Sequence, residues 1–514
     1  MNKSLGGAAV LALANTVCRV LGFLFKIPLS NLIGSEGMGY FSLATQVFGV
    51  ATFPACGGMP LVFGRYIAGR DATGKPTLPA LKAVSPLFLV TGLALAGVMG
   101  LFSGEICRLA GAENARPAVF ALSPAVFFVA AESMYRAYFQ GRSMLFPGAL
   151  AQVCEAAGKL VLGTGCAWML YRRGCSPAYI AGGAAAGVTF GTAVAAGVLR
   201  FRLRRCGRLR GVPREKGVGA SVLKESAVIS LGSGVMSLLG AVDAAVIMNR
   251  LLSLGFDRAG AASQYGIYTG YAVTVYALPF AITGAVNAWV TPAVAGAHAL
   301  GSGRALGEKL RTAFKLSGCV GAFAAFCYFL MPGEILEIFF SRNEAELAAP
   351  MLSCLGVSVV AGPLCAILTS ALSAMGKNRL PVISGIVGGV VRVAVNYLLI
   401  GMPGVGMLGA PISAGLSSLM GFFACLVGVK RELRRYGEKP GLLKVLALPC
   451  VCGLGSAFLA KELCRNLYFL PGQRISALAG LAGGALVFCA AAYLTGVVSD
   501  RELSVLLGRN RSGE

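Results

Sequence analysis

Long apolar runs separated by short polar segments are the dominant pattern along this chain. Each run is about 20 residues or longer, the length an α-helix needs to cross the hydrocarbon core of a bilayer. The pattern contains fourteen such runs, numbered here as spans 1 to 14. It therefore predicts an all-α integral membrane protein with fourteen transmembrane helices. The predicted limits are 5–33, 38–66, 78–103, 117–140, 146–171, 177–200, 222–252, 264–296, 309–331, 350–375, 380–401, 406–429, 441–463 and 474–497.

The composition agrees with a membrane protein, and the charges set its orientation. Only 13% of the 514 residues are charged, against roughly 25% in soluble domains. The 45 Lys and Arg residues outnumber the 21 Asp and Glu residues and concentrate in alternate loops, as on the cytoplasmic side of membrane proteins. We therefore expect a protein of the cytoplasmic membrane with both termini in the cytoplasm. The basic loops lack interleaved aromatic residues, so we expect no nucleic-acid partner.

Two echoes in the sequence indicate an internal repeat. Tyr40 and Pro54 in span 2 have the same spacing as Tyr265 and Pro279 in span 8. A second echo relates spans 4–5 to spans 10–11, in which a Gly, a basic residue, a Pro and a later cation recur. Parallel repeats of this kind place a substrate site near the membrane midplane, between the halves. We predict two pseudo-symmetric six-helix lobes plus two C-terminal helices: an N-terminal lobe with spans 1–6 (1–200), a basic cytoplasmic linker (201–220), a C-terminal lobe with spans 7–12 (221–430), and spans 13–14 with a cytoplasmic tail (431–514).

Ionisable residues inside the predicted spans are the first candidates for function, because such residues usually face a cavity or the bundle interior. Glu155 and Lys159 are four residues apart, in the favourable order for an ion pair on one helix face. Glu132 and Arg136 have the same spacing. Such pairs either stabilise their helices or take part in transport. We select Glu132, Glu155 and Asp243 as candidates for Na⁺ or H⁺ coupling, and we expect no other cofactor and no metal site.

The span cations suggest an anion site. Arg19 and Lys26 of span 1 are seven residues apart, so they share a helix face, about 10 Å apart along the axis. Arg392 lies in the middle of span 11, with Asn396 one turn further on the same face. Both arginines either form ion pairs with acidic residues of other helices or line a cavity for an anion. Arginine suits phosphate because its planar guanidinium donates to two oxygens and stays charged. We select Arg19, Lys26, Arg392, Asn396 and Lys159 as candidate substrate-binding residues.

No residue pattern points to an enzyme. The segment "GRDATGKP" has the spacing of a phosphate-binding loop, but Pro76 stands where Mg²⁺ needs Ser or Thr, and the pattern predicts no strand before it. The chain has a single histidine, His298, so histidine-based metal or triad chemistry lacks its parts. We therefore expect a protein that moves its substrate and does not transform it.

Three segments resemble a known family: "CRVLGFLFKIPLSNLIGSEGMGYFSL", "ACGGMPLVFGRYIAG" and "YFQGRSMLFPGALAQVCEAAGK". They resemble the stage V sporulation protein B and polysaccharide-export branch of the MOP superfamily, related to the MurJ-type lipid II flippases and the MATE exporters. The likeness covers essentially the whole chain and implies a two-lobe fold with the last two spans appended. It also implies that Arg19, within "RVLGF", meets a lipid diphosphate. The second span-1 arginine of the family motif is matched here only by Phe25 or Lys26.

The leading functional hypothesis is a flippase for a lipid-diphosphate-linked oligosaccharide or peptidoglycan precursor, working by alternating access. Its partners would be a polyprenyl-diphosphate-linked glycan and the surrounding membrane lipid, and we expect a monomer. The alternative is a MATE-like cation-coupled multidrug exporter, which would favour an acidic and aromatic cavity. A non-transporting scaffold would not need central cations, and a membrane-embedded sugar transferase would need an extended catalytic loop that the sequence lacks.

Overall fold

The computed structural model describes residues 2–206, 213, 215, 217–438, 441–466 and 473–497. These residues form helices joined by turns and contain no strand, which confirms the predicted all-helical class. Most of the central part of the predicted linker, 207–212 with 214 and 216, lies outside the described residues. Met1 and the predicted cytoplasmic tail from residue 498 onward lie outside them as well.

The chain divides into two compact units, residues 1–270 and 271–514; the limits of the predicted lobes stay a prediction. The described residues of the first unit form ten α-helices, with a π-helical segment, Lys159–Gly163, between the sixth and the seventh. The helices are α1 (Asn2–Cys56), α2 (Gly58–Ala72), α3 (Leu78–Leu101), α4 (Ser103–Leu109), α5 (Arg116–Gly141), α6 (Leu145–Gly158), α7 (Thr164–Arg172), α8 (Pro177–Cys206), α9 (Val218–Ser253) and α10 (Arg258–Gly266).

The described residues of the second unit form nine α-helices, and a second π-helical segment, Ile267–Ala272, lies at the division between the units. The helices are α11 (Val273–Tyr276), α12 (Leu278–Ala299), α13 (Gly303–Leu330), α14 (Pro332–Phe339), α15 (Arg342–Ala374), α16 (Arg379–Ile400), α17 (Gly409–Arg435), α18 (Ala447–Asn466) and α19 (Gln473–Leu494).

Thirteen segments of the described chain are long and apolar enough to cross a membrane. The first of them covers residues 13–72, about three times the length that one crossing needs. Helix geometry breaks inside it at Gly34, whose φ of 64° and ψ of −174° suit a residue without a Cβ. The break falls between predicted spans 1 and 2, so this segment has room for two crossings. The structure establishes a multi-pass membrane protein, and the count of fourteen stays a prediction.

The core of the first unit forms around α5, which packs against α3 and α8. Its largest wholly buried side chains include Phe63, Phe88 and Tyr138. At the end of the unit nearest the predicted linker, Arg70 forms an ion pair with Glu215 at 2.6 Å. The core thus joins α2, α3 and α5, and the ion pair fixes the described part of the linker to α2.

The second unit has its own core, formed by α12, α13, α15 and α17. Phe314, Leu368 and Phe422 are buried at its centre. The pair α18–α19 packs against α13, where the rings of Phe323 and Phe488 stack at 5.3 Å between centroids. The last two predicted spans therefore belong to this unit by packing.

The repeat-related segments of spans 2 and 8 pack directly against each other in the first unit, along α1 and α10. We call this contact the serine–glycine seam; it consists of Ser35, Gly39, Ser42, Ser263, Gly266 and Thr269. The hydroxyls of Ser35 and Ser263 share a hydrogen bond of 2.7 Å, and Thr269 donates to Ser42 at 2.9 Å. A Cβ on Gly39 would overlap the carbonyl oxygen of Ala262. Small residues thus allow the two backbones to approach closely, as at other membrane-helix contacts.

A row of glycines on α8 packs against α6 and the π-helical segment Lys159–Gly163. A Cβ on Gly187 would overlap the backbone of Gly163, and one on Gly191 would lie 2.9 Å from the carbonyl oxygen of Glu155. The backbone of α6 and of the π-helical segment therefore rests directly on α8. This contact fixes the position of the Glu155 and Lys159 side chains in the bundle.

Substituting Gly187 with Ala should destabilise the protein, because the added methyl group forces α8 away from the π-helical segment. Overpacking of this kind typically costs about 1–3 kcal/mol. Gly197→Ala is the matched control, since a Cβ on Gly197 of the same helix meets nothing within 4 Å. Thermal unfolding of the solubilised protein should show a lower melting temperature for Gly187→Ala and an unchanged or higher one for Gly197→Ala. Equal melting temperatures would contradict the close contact.

Candidate functional site

The candidate site of the first unit begins on α1, which carries two of the predicted substrate-binding cations. α1 is helical from Asn2 to the break at Gly34, so Arg19 and Lys26 keep the common face that their spacing predicts. The Arg19 side chain is exposed, whereas Lys26 is half-buried. The N-terminal part of α1 thus presents a guanidinium at its surface, with an ammonium group nearly two turns further along.

A small cavity lies between α1 and α6. Its volume is about 190 Å³, and it is lined by Cys18, Gly22, Phe25, Gln152, Glu155, Ala156 and Lys159. The Lys159 ammonium and the Glu155 carboxylate form an ion pair at 2.6 Å. The cavity therefore places two of the predicted residues, one substrate-binding and one ion-coupling, against the face of α1 that contains Cys18 and Gly22.

Gln152 is a polar residue of this cavity that the sequence pattern did not single out. Within the described part of the chain, its buried Oε1 atom has no hydrogen-bond partner. Buried polar atoms are nearly always hydrogen-bonded, so an exception calls for an explanation such as a bound ligand or water. Gln152 lies three residues before Glu155 and seven before Lys159, on the same helix face. That spacing was the only signal in the sequence that could have identified it.

Glu132 and Arg136 form a second ion pair, on α5. Glu132 is only 3% exposed, and the Nε atom of Arg136 is buried without a hydrogen bond to any described residue. Glu132 also interacts electrostatically with Glu155 and Lys159. The four residues therefore form one charge cluster of two anions and two cations across α5, α6 and the π-helical segment. Both pairs have the geometry that their spacing predicts, and their part in coupling stays a prediction.

The third predicted coupling residue, Asp243, lies on α9 and is 5% exposed. A carboxylate at such a position needs polar or charged neighbours, and Asp243 has interactions within the structure. No three His, Cys, Asp or Glu side chains among the described residues lie close enough together to hold a metal ion.

The remaining two predicted residues lie on α16 of the second unit. Asn396 is completely buried, and its Oδ1 atom accepts a hydrogen bond of 2.7 Å from the hydroxyl of Ser413 on α17. Arg392, one turn earlier, is half-buried and lies close enough to Tyr276 to interact with it electrostatically. Asn396 therefore links α16 to α17 through this hydrogen bond. The predicted roles of Arg392 and Asn396 in substrate binding stay predictions.

Comparison with known proteins places the chain in a family. A family model described as "Lipid II flippase MurJ" matches residues 164–472, and one described as "Polysaccharide biosynthesis protein" matches residues 4–298. Each match covers more than half of the chain. Stage V sporulation protein B of Bacillus subtilis (strain 168) is 24% identical over 427 residues, which make up 80% of this chain and 80% of that protein.

Solved structures share the fold. The structure of the lipid II flippase MurJ in an inward closed conformation aligns with a TM-score of 0.72 at 15% identity, covering 95% of this chain and 98% of that one. An inward-facing multidrug MATE transporter of the MOP superfamily aligns with a TM-score of 0.68 at 18% identity, covering 84% and 99%. At such identities the alignments establish the fold alone.

Fold, buried charges and family matches together define a multi-pass membrane protein of the MOP superfamily of transporters. Within it, the chain belongs to the branch of the polysaccharide biosynthesis proteins, stage V sporulation protein B and the MurJ-type flippases. The resemblance of the three sequence segments is thereby confirmed.

Removing one member of the Glu132–Arg136 pair should destabilise the protein more than removing both. Glu132→Leu leaves the Arg136 guanidinium without its carboxylate in an apolar bundle, a change that typically costs about 3–5 kcal/mol. In Glu132→Leu/Arg136→Leu neither charge remains buried. Thermal unfolding of the solubilised protein should therefore give a lower melting temperature for the single variant than for the double variant. The reverse order would show that the pair contributes little to the fold.

Proposed function

We propose that this protein flips a lipid-diphosphate-linked oligosaccharide or peptidoglycan precursor across the cytoplasmic membrane by alternating access. The polyprenyl-diphosphate-linked glycan is the transported partner, and its lipid tail stays in the bilayer. The protein works as a monomer with both termini in the cytoplasm. It moves this substrate without breaking or forming a covalent bond in it.

The observation that carries the proposal is the exposed Arg19 inside a membrane-crossing helix of a chain from this family. A cation at the membrane centre costs at least about 2.5–3.5 kcal/mol on insertion scales. A diphosphate offsets this cost, because guanidinium and phosphate form paired charge-assisted hydrogen bonds. Lys26 adds a second cation on the same helix. Lys159, Arg392 and Asn396 stay predicted substrate-binding residues; Lys159 is paired with Glu155, and Asn396 is buried against Ser413.

The charge cluster gives a route for ion coupling. Glu132, Glu155 and Asp243 are the candidate sites for Na⁺ or H⁺, and protonation or cation binding at Glu155 would release Lys159 for the substrate. The membrane potential is a further source of energy, worth about 2.3 kcal/mol for each charge moved through 100 mV. Transport in proteoliposomes that ignored both voltage and every ion gradient would rule out this coupling.

The MATE-like multidrug exporter is the second candidate, and the TM-score of 0.68 with a MATE transporter favours it. The balance of charges speaks against it. The cluster on α5, α6 and the π-helical segment is neutral. The two cations of α1 outnumber Asp243 on α9, the one remaining candidate coupling residue, whereas an organic cation needs an acidic site. Export of organic cations by the wild type, with no transport of lipid diphosphates, would reverse the order of the two candidates.

Arg19→Ala should lower the transport rate without losing the fold. Loss of a charge-assisted hydrogen bond worth about 1.5–3 kcal/mol corresponds to a roughly ten- to hundredfold drop in the transport rate. Arg19→Lys should restore only part of the wild-type transport rate, because lysine keeps the charge but loses the bidentate geometry. The three forms are compared in a transport assay at matched membrane abundance. Wild-type transport by Arg19→Ala would reduce Arg19 to a structural residue.

Alternating access requires the serine–glycine seam to open and close, because it joins helices from the two predicted repeats. In the predicted orientation the seam lies toward the outer side of the membrane, where α1 continues after its break at Gly34 and where span 8 begins. The double variant Ser35→Cys/Ser263→Cys should form a disulfide on oxidation, since the two hydroxyls are 2.7 Å apart. Transport should then stop and should return on reduction.

Each single Cys variant, oxidised in the same way, is the control for the crosslinking experiment, because the described chain already contains 16 free cysteines. The singles should keep transporting under oxidation. Full transport by a protein with the crosslink formed would show that the seam stays closed throughout the cycle.

A further inference from the structure

A second and larger space lies on the same side of the first unit as the charged cavity. It is a groove of about 580 Å³, lined by Pro28, Asn31, Leu32, Leu160, Val161, Thr164, Gly165 and Trp168. The volume is in the range of pockets that hold small ligands. Six of its eight lining residues are apolar, and Val161 and Trp168 are at least half exposed. The groove therefore offers a mostly apolar surface that is exposed on the outside of the unit.

The groove and the charged cavity lie end to end between the same two helical segments. On α1 the cavity ends at Phe25 and the groove begins at Pro28. On the facing segment the cavity ends at Lys159 and the groove begins at Leu160. The Phe25 ring marks the junction, where it is buried and packs edge-on against Phe41 at 5.9 Å between centroids.

The π-helical segment Lys159–Gly163 explains how one stretch of chain serves both spaces. A π-helix contains an additional residue in each turn, so side chains that follow it are rotated relative to an uninterrupted α-helix. Lys159, at its start, lines the charged cavity. Leu160 and Val161 follow at once and line the apolar groove. The surface thus changes from a charged residue to a mostly apolar lining within two residues, although Asn31 and Thr164 also line the groove.

We propose that this groove binds the prenyl chain of the transported lipid while the candidate cations bind its diphosphate. The inference rests on the proposed function and adds a second point of recognition to it. The groove matches the chemistry of such a lipid because an apolar channel begins one residue after a cation that can contact phosphate. A bulk phospholipid is the competing occupant, and it would bind in the groove whether or not a diphosphate is bound at the cations.

Gly165 allows the groove to be filled without disturbing the helix. A Cβ there would meet nothing within 4 Å, so the ring of Gly165→Phe can enter the groove. Gly197→Phe on α8 is the matched control, because its Cβ position is equally open and it does not line the groove. The full-length protein is purified in detergent, and its affinity is measured for two diphosphates, a long polyprenyl diphosphate and a two-isoprene diphosphate.

The wild type should bind the long-chain compound at least about tenfold more tightly than the short one, since burial of two or more CH₂ groups gives this difference. Gly165→Phe should lose most of this preference and keep its affinity for the short compound. Gly197→Phe should behave as the wild type does. A preference that persists in Gly165→Phe would overturn the inference and leave the proposed function intact.

A photoreactive group at the end of the polyprenyl chain gives a second measurement that does not depend on a substitution. Irradiation of the wild-type complex should label the peptide that contains residues 160–168. Labelling that is abolished by excess phospholipid vesicles would assign the groove to bulk lipid and overturn the inference. A wild type that binds neither diphosphate would overturn the proposed function, and the inference with it.

Discussion

A charge inside a bilayer has to be matched by another charge, a hydrogen bond or water, and the first unit is organised around this requirement. Glu132 with Arg136 and Glu155 with Lys159 meet it by pairing along their own helices. Both pairs are neutral; α1 adds Arg19 and Lys26 to the membrane segments of this unit, and α9 adds Asp243. In the cavity between α1 and α6, the Glu155–Lys159 pair lies against the face of α1 that contains Cys18 and Gly22.

Close packing of backbones holds these charges in place. Lipid chains are as apolar as leucine side chains, so membrane helices gain little from apolar burial and depend on tight contact between small residues. Gly187 and Gly191 let α8 touch the π-helical segment and the end of α6. The serine–glycine seam brings α1 and α10 together in the same way and adds two hydroxyl hydrogen bonds.

The sequence predicts well what depends on hydropathy and helical spacing. Runs of apolar residues identify an all-helical membrane protein, and the four-residue spacings anticipate both intrahelical ion pairs. It does not reveal the π-helical segment, because no residue pattern separates Lys159–Gly163 from the α-helix on either side, and the contact with Gly187 is visible only in the structure. It also could not show that Asn396 is completely buried against Ser413, since that depends on how α17 packs. Gln152 was missed because an isolated amide in an apolar run is compatible with many environments.

The π-helical segment also bears on how related chains are aligned. Each residue advances an α-helix by about 100°, so a relative with one residue fewer between positions 159 and 163 would form an uninterrupted helix. Its side chains after that point would keep the directions that they have here, because the π-helical turn accommodates the additional residue of this chain. If the alignment gap were placed in a neighbouring loop instead, Thr164 and Trp168 would be aligned with residues of the relative whose side chains point in another direction. The structurally correct gap therefore lies within the helix, at the π-helical segment itself.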